Sequence, residues 1–494
     1  MRKTIKIIIA CALLACVIFA LGACSENTKQ KAVTTNIAEG ATVQNNGGLA
    51  VKYGNYVYFV NGYAGESAAN EFGKVVRGAV MRTTLDANGV PDYKSVETIV
   101  PKNVFGEDKT HPGIYILDGY IYYNTTSVEK NSKREYKSTE GVLMRTSLDG
   151  SKTEKIIDFD DNNVILYAGD NSKYLVYSFE NYLYSYNPAN GVIETLTKPN
   201  SKKPTEDKQT YVAVKFAGDY VVYTMYNYED ESNYSSDYII WVYNLKTGTN
   251  TKIMNSDIYN GNTNRDVLYT TSVVDIIPSV NGFTLYYTKS GKNNESNNGF
   301  YSQTFTDENP TYNKSTEVRY TYETTTNAYT KFTKLANGYT LAFNTNKIDV
   351  YDAQGQKVQD NGVDLRFAFK GSSDTVTITI IDFFETDTEV YVYYIYDSTF
   401  RYIKLFNKEN GVYTPANENM VKFFSAKYCS DYIAYDIIDN VIYYCSENLG
   451  DNVAYYVIPD LTSEIKDTDK GKVLGVISDE DFLSLVSETS SDED

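Results

Sequence analysis

Gly113-Ile114-Tyr115-Ile116-Leu117-Asp118-Gly119-Tyr120-Ile121-Tyr122-Tyr123-Asn124, followed by Val142-Leu143-Met144-Arg145-Thr146-Ser147-Leu148-Asp149-Gly150 and then Thr153-Glu154-Lys155-Ile156-Ile157, is the stretch that decides the fold. Asp-Gly occurs twice, each time between runs rich in β-branched and aromatic residues, and this dipeptide suits the positive φ angles of tight hairpin turns. The stretch therefore reads as four strands, 114–117, 120–124, 142–148 and 153–157, in an antiparallel meander. Its second strand is apolar at consecutive positions, so both faces of the sheet need cover.

The same strand recurs along the chain. Tyr56-Val57-Tyr58-Phe59, Tyr174-Leu175-Val176-Tyr177, Tyr220-Val221-Val222-Tyr223 and Phe283-Thr284-Leu285-Tyr286 are clear copies. Tyr339-Thr340-Leu341-Ala342, Val390-Tyr391-Val392-Tyr393 and Val441-Ile442-Tyr443-Tyr444 are weaker ones. Turn dipeptides precede these strands (Gly54-Asn55, Gly218-Asp219, Asn281-Gly282, Asn337-Gly338, Asp439-Asn440) and return later in the units (Asn88-Gly89, Asn190-Gly191, Thr247-Gly248, Gln354-Gly355, Asn410-Gly411). Eight units of roughly 45 to 65 residues result. A four-stranded sheet with two apolar faces is satisfied by radial packing against identical neighbours. The expected fold is all-β, a β-propeller of eight four-stranded antiparallel blades. Seven blades is the alternative, because units 6 and 7 carry weak signals and 367–385 is open to reading as an insertion in place of a blade edge. Unit 8 is expected to take strands from 432–440, 441–445, 453–458 and 473–477. Ser478 with Asp481, ahead of Phe482, Leu483, Leu485 and Val486, reads as a capped short C-terminal helix.

The strand 120–125 with the following 143–150 resembles the repeat of low-density-lipoprotein-receptor-type (YWTD) propellers, and more closely the degenerate form carried by bacterial surface lipoproteins. The likeness covers about 54–158 and fades afterwards, and the strand lacks the Trp and Asp of the receptor pattern. The resemblance implies a propeller at a cell surface and transfers no receptor ligand site.

The N-terminus supports the same location. Arg2, Lys3 and Lys6 precede an apolar run from Ile7 to Leu21, which ends at Leu21-Gly22-Ala23-Cys24. This is the order of a secretory leader, and its end resembles the lipobox of bacterial lipoproteins, whose thiol receives diacylglycerol. The reading assigns 1–23 to a signal peptide, 24–46 to a flexible tether of mostly polar residues, 47–478 to the propeller and 479–494 to the short helix with its acidic tail. The protein is then exported and held on the outer face of the membrane by the lipid on Cys24. Removing the leader with its three cations takes the formal net charge from −18 to −21. Such a surface repels phosphate backbones and anionic headgroups, so nucleic acid is excluded as a partner and membrane contact is left to the lipid. A monomer is expected. Of the five cysteines only Cys429 and Cys445 remain free to pair; if Asp439-Asn440 forms a hairpin turn, Cys445 falls opposite Ala434 instead.

In a propeller the loops joining second to third strands open on the same face as the blade-to-blade connections, and both tight turns lie on the other. Long excursions at 61–77, 125–140, 226–238 and 289–299 make the first face the expected binding face. In the third of these, Tyr226, Tyr228, Tyr234 and Tyr238 accompany Glu229, Asp230 and Glu231, a set suited to stacking on sugars or packing on a basic peptide. Asp158, Asp160 and Asn162 space oxygen ligands at alternate positions like the start of a calcium loop, but the twelfth position is Gly169 in place of a bidentate Glu. A solvated acidic turn is the competing reading. The single histidine, His111, excludes sites built on several histidines, and no nucleophile elbow or phosphate-binding glycine loop appears. The functional expectation is a non-catalytic binding or scaffold module for an envelope protein or glycan, with no cofactor beyond the covalent lipid. A carboxylate-dependent glycan-active enzyme is the alternative.

Overall fold

The computed structural model describes residues 37–38, 40–44, 48–62, 78–104, 106, 113–126, 140–160, 164–179, 182–196, 214–226, 238–254, 269–279, 281–291, 299–320, 329, 331–344, 347–358, 363–364, 378–396, 399–416, 421–425, 434–439, 441–445, 453–457 and 472–474. These residues contain strands and no helix, arranged as eight antiparallel sheets. Sheet 1 comprises β1 (Ala50–Tyr53), β2 (Tyr56–Val60), β3 (Val80–Thr84) and β4 (Glu97–Val100); sheet 2 comprises β5 (Tyr115–Leu117), β6 (Tyr120–Thr126), β7 (Gly141–Ser147) and β8 (Thr153–Asp158). Sheet 3 holds β9 (Ile165–Tyr167), β10 (Leu175–Phe179), β11 (Tyr182–Asn187) and β12 (Val192–Thr195); sheet 4 holds β13 (Val214–Ala217), β14 (Tyr220–Tyr226), β15 (Tyr238–Asn244) and β16 (Thr249–Met254). Sheet 5 is β17 (Tyr269–Ser279), β18 (Gly282–Gly291), β19 (Gly299–Thr306) and β20 (Val318–Tyr320); sheet 6 is β21 (Lys331–Lys334), β22 (Thr340–Asn344), β23 (Lys347–Tyr351) and β24 (Val363–Asp364). Sheet 7 is β25 (Ile378–Glu385), β26 (Glu389–Tyr396), β27 (Thr399–Glu409) and β28 (Val412–Pro415), with β29 (Val421–Ser425) also paired to β27; sheet 8 is β30 (Ala434–Ile438), β31 (Val441–Cys445), β32 (Val453–Val457) and β33 (Lys472–Val473).

Turn chemistry sets the meander. Asp118 and Gly119 both take positive φ, 48° and 75°, as do Asn410 and Gly411 at 52° and 77°; two successive positive φ angles match the twist of the flanking strands. Each recurrent aromatic strand of the sequence is the second strand of a sheet. Tyr122 and Tyr123 are adjacent in β6, point to opposite faces and are both fully buried, as are Tyr286 with Tyr287 and Tyr443 with Tyr444. Each sheet is thus covered on both sides.

Sheets 1 to 7 pack in chain order. Tyr58 donates its hydroxyl to Leu148 O across sheets 1 and 2 (3.2 Å), and Tyr115 to Leu166 O across sheets 2 and 3 (2.8 Å). The Tyr223 hydroxyl reaches Leu196 O between sheets 3 and 4 (3.2 Å), and the Tyr220 hydroxyl reaches Asp307 Oδ1 between sheets 4 and 5 (2.5 Å). Tyr286 stacks on Phe332 at 4.5 Å between sheets 5 and 6, and Ala336 N donates to Glu385 Oε2 between sheets 6 and 7 (3.1 Å). The last sheet meets the first: Ala50 N donates to Asp436 Oδ2 at 2.7 Å, Lys52 pairs with Asp439 at 2.5 Å, and Val441, Tyr443 and Tyr455 share a core with Val57 and Phe59. First strands approach one another at four junctions, β1 with β5 and with β30, β13 with β17, and β17 with β21. First strands on the inner side of successive four-stranded sheets are the architecture of a β-propeller.

Residues 378–385, inside the stretch whose reading as an insertion belongs to the seven-blade alternative, form the first strand of sheet 7. One sequence expectation changes. The tether expected over 24–46 is not free throughout: Val43 is fully buried with Leu117, Val164 and Leu166, and Ile37 and Ala41 pack on the same cluster. The polar average of the segment hides these three apolar residues, enough to dock it. In sheet 8 the last strand is β33, which meets the start of the expected 473–477, while 475–477 lie outside the described residues. Cys445 pairs with Ala434, as the hairpin register requires; Cys429 and the expected C-terminal helix lie outside the described residues.

Candidate functional site

The expected binding face falls mostly outside the described residues. Tyr228, Tyr234, Asn162, His111 and Cys24 all lie there. Tyr226 and Tyr238 close the β14–β15 ladder as direct partners, which places them at the mouth of the excursion. Asp158 ends β8, exposed, and its carboxylate is 2.8 Å from Lys155 Nζ. Asp160 is exposed beyond the buried Phe159. Among the described residues no three His, Cys, Asp or Glu side chains gather as a metal site.

A recess of about 410 Å³ instead opens between sheets 5 and 6, on the face of the tight turns. One wall is the outward side of β18, β19 and β20, with the loop that joins the last two; the other is the start of β22 and its turn. The lining is hydroxyl and amide: Thr284, Ser302, Thr304, Asn309, Asn313 and Thr340 contribute, with Tyr286 and Tyr320 buried behind them, their rings packed on Phe332. The β-ladder produces this row, because Thr284 faces Thr304 and Tyr286 faces Ser302 across β18 and β19, and Ser302 faces Val318 in β20. Cross-strand hydrogen bonds fix it. Thr284 and Thr304 hydroxyls lie 2.9 Å apart, the Ser302 and Tyr320 hydroxyls 2.8 Å, and Gln303 Nε2 donates to Thr316 Oγ1 at 3.0 Å.

Among the described residues of this lining Lys334 is the one charged side chain, and none is a carboxylate, histidine or cysteine. Burial pushes the Tyr286 and Tyr320 hydroxyls above their ordinary range, so both stay protonated donors at neutral pH. The adjoining Glu317 is ion-paired with Lys289 at 2.5 Å and accepts a hydrogen bond from the Tyr287 hydroxyl. The recess can exchange hydrogen bonds with an uncharged polar group, and its described residues include no acid–base pair. Its volume is that of a small-molecule site.

A second polar cluster lies on the opposite face, between sheets 1 and 2. Lys102 is buried, with Nζ 3.3 Å from Met144 Sδ, and burial lowers its pKa to about 8. The buried Thr125 hydroxyl donates to Asn103 O at 2.7 Å beside it, and Asn124 Nδ2 donates to Val164 O at 2.9 Å. Sequence reading missed the recess and this cluster alike.

No known protein family matches the sequence, and no curated protein does. Among solved structures the chain is similar to the β-propeller domain of the Trilobed protease from Pyrococcus furiosus, with 11% identity over 77% of this chain and 96% of that one and a TM-score of 0.35. It is also similar to a prolyl endopeptidase (8% identity, 82% of this chain, TM-score 0.41) and to Porphyromonas gingivalis dipeptidyl peptidase 4 (10% identity, 90% of this chain, TM-score 0.40). The chain spans 55% of the former and 61% of the latter. The propeller assignment rests on the chain's own sheets and junctions.

Proposed function

We propose that the chain is a lipid-anchored, extracytoplasmic, eight-bladed β-propeller that acts as a non-catalytic binding module at the bacterial cell envelope, and that its ligand is a glycan held at the recess between sheets 5 and 6. The carrying observation is the recess itself, where Thr, Ser and Tyr hydroxyls are aligned and no carboxylate is found among the described lining residues. Such a lining matches the alternating donors and acceptors of a neutral sugar. The strongly acidic composition favours neutral over anionic glycans. Eight sheets with first-to-last contacts support the blade number, and the leader ending in Leu21-Gly22-Ala23-Cys24 supports the lipid on Cys24.

Calorimetric titration of the mature chain with neutral and anionic oligosaccharides tests the reading. Saturable binding of a neutral glycan without product is expected, weakened about tenfold by Tyr320→Phe, the cost of one hydrogen bond of about 1.4 kcal/mol. Binding indifferent to Tyr320→Phe and Thr284→Val refutes the site, and release of a glycan product refutes the non-catalytic role.

A further inference from the structure

The segment before β1 has a direction. Ala38 N donates to Asp118 Oδ2 at 2.7 Å, beside the turn that ends β5. Val43 N donates to Ser172 O at 2.7 Å and Val43 O accepts from Asn171 N at 3.0 Å, in the first turn of sheet 3. Gln44 then exchanges both backbone hydrogen bonds with Ile116, at 2.8 and 3.1 Å, running antiparallel to β5 along its free edge. Gly48 passes close against residue 113, before β5: a Cβ there would sit 2.9 Å from Gly113 N. The positions 38, 44 and 48 therefore climb the inner edge of sheet 2 from the tight-turn face to the opposite face, where the chain reverses into β1.

We infer that residues 37–44 are a strap that fixes how the propeller stands on the membrane: the tight-turn face is directed at the bilayer and the long-loop face outward, toward partners in the envelope. The inference rests on the anchor proposed at Cys24. Ile37 is thirteen residues after Cys24, and thirteen residues reach at most about 45 Å when fully extended. Because the strap is hydrogen-bonded at both of its ends, the chain before it leaves from the turn face and the lipid is pulled to that side. The recess between sheets 5 and 6 opens on the same face, so its glycan is met close to the membrane.

The test uses the lipidated chain in phosphatidylcholine vesicles bearing an acceptor-labelled headgroup. A fluorescent non-natural amino acid is placed at Asn88 or Lys246, exposed in tight turns, or at Asp160, exposed on the opposite face. The strands between the faces are about five to six residues long, roughly 17–20 Å, and energy transfer from the turn positions is expected to exceed that from residue 160 about twofold or more. Equal or reversed transfer overturns the orientation. No transfer from any position, with no diacylglyceryl mass on Cys24, overturns the anchor instead. A Gly-Ser stretch as long as the tether, inserted after Gln30, leaves every sheet residue in place and is expected to shrink the difference. A difference that survives it unchanged overturns the role given to the short connection.

Discussion

Asp436 offers the most direct test of ring closure. It lies in β30, is buried, and accepts the backbone N–H of Ala50, at 2.7 Å, and of Leu49 from the first sheet. Asp436→Ala leaves two buried donors without an acceptor, each costing about 1–3 kcal/mol. A local loss of about 3 kcal/mol corresponds to roughly a hundredfold faster amide exchange. Hydrogen exchange read by mass spectrometry over β1 should show this acceleration, while peptides from sheets 4 and 5 stay unchanged. Asp436→Asn keeps a carbonyl oxygen at the same place, so its exchange should lie within about tenfold of the parent chain.

The pH dependence separates the two effects further. Burial raises the Asp436 carboxyl well above its ordinary value, outweighing the N–H donors that favour the carboxylate. Between the unfolded value of about 3.9 and the raised native value, the native seam holds a proton that the unfolded chain has released. The associated stability is complete at low pH and declines as pH rises through the native value. Protection of β1, corrected for intrinsic exchange, should fall with rising pH in the parent relative to Asp436→Asn, in which nothing titrates. Unchanged β1 exchange in Asp436→Ala would refute the seam, and a parent that tracks Asp436→Asn at every pH would refute the raised carboxyl.

Lys102→Met should raise the denaturation midpoint at pH 7 by the equivalent of up to about 3 kcal/mol, because the native lysine is charged in a buried position and its pKa of about 8 lies below the unfolded 10.4. Stability of the parent should rise between about pH 8 and 10.4, closing that gap, and a gap independent of pH refutes the desolvated amine. Val43→Ala should cost about 1–2 kcal/mol by opening a cavity between sheets 2 and 3, seen as faster exchange in β5 and β9; no change there would mean the strap is undocked in solution. Cys24→Ala should leave the leader uncleaved and remove the diacylglyceryl mass, and an unmodified Cys24 in the membrane-bound parent chain would mark residues 7–21 as a membrane-spanning segment.

The fold was legible because its signals are local and repeated. Asp118-Gly119 can hardly be anything but a tight turn between apolar runs, and once placed it fixes the register of β5 against β6. The same logic put Cys445 opposite Ala434. The eight aromatic strands were readable as central strands because adjacent residues such as Tyr122 and Tyr123 cannot both be buried in a sheet with one wet face. The strap was not legible: Ile37, Ala41 and Val43 are too few to raise the apolar content of a polar segment, and their partners, Leu117 and Val164, are distant in sequence.

The recess was invisible for a different reason. Sequence reading finds chemistry through residues that are rare or costly to bury, such as histidines, paired carboxylates and cysteines. A site made of Thr284, Ser302, Thr304 and Thr340 uses residues that are equally at home in any strand. Only the pairing of β18 with β19, and of that sheet with sheet 6, turns them into a row of hydroxyls beside Tyr286 and Tyr320. The long loops drew attention to one face because length variation is visible in a linear string, whereas this concavity forms on the other, between two regular sheets. If the strap orients the molecule as inferred, the two faces divide the work: the turn face meets a glycan near the membrane, and the loop face is left to an envelope partner. Tyr320→Phe and substitutions at Tyr226 or Tyr238 should then impair different ligands, a separation that a single binding face would not produce.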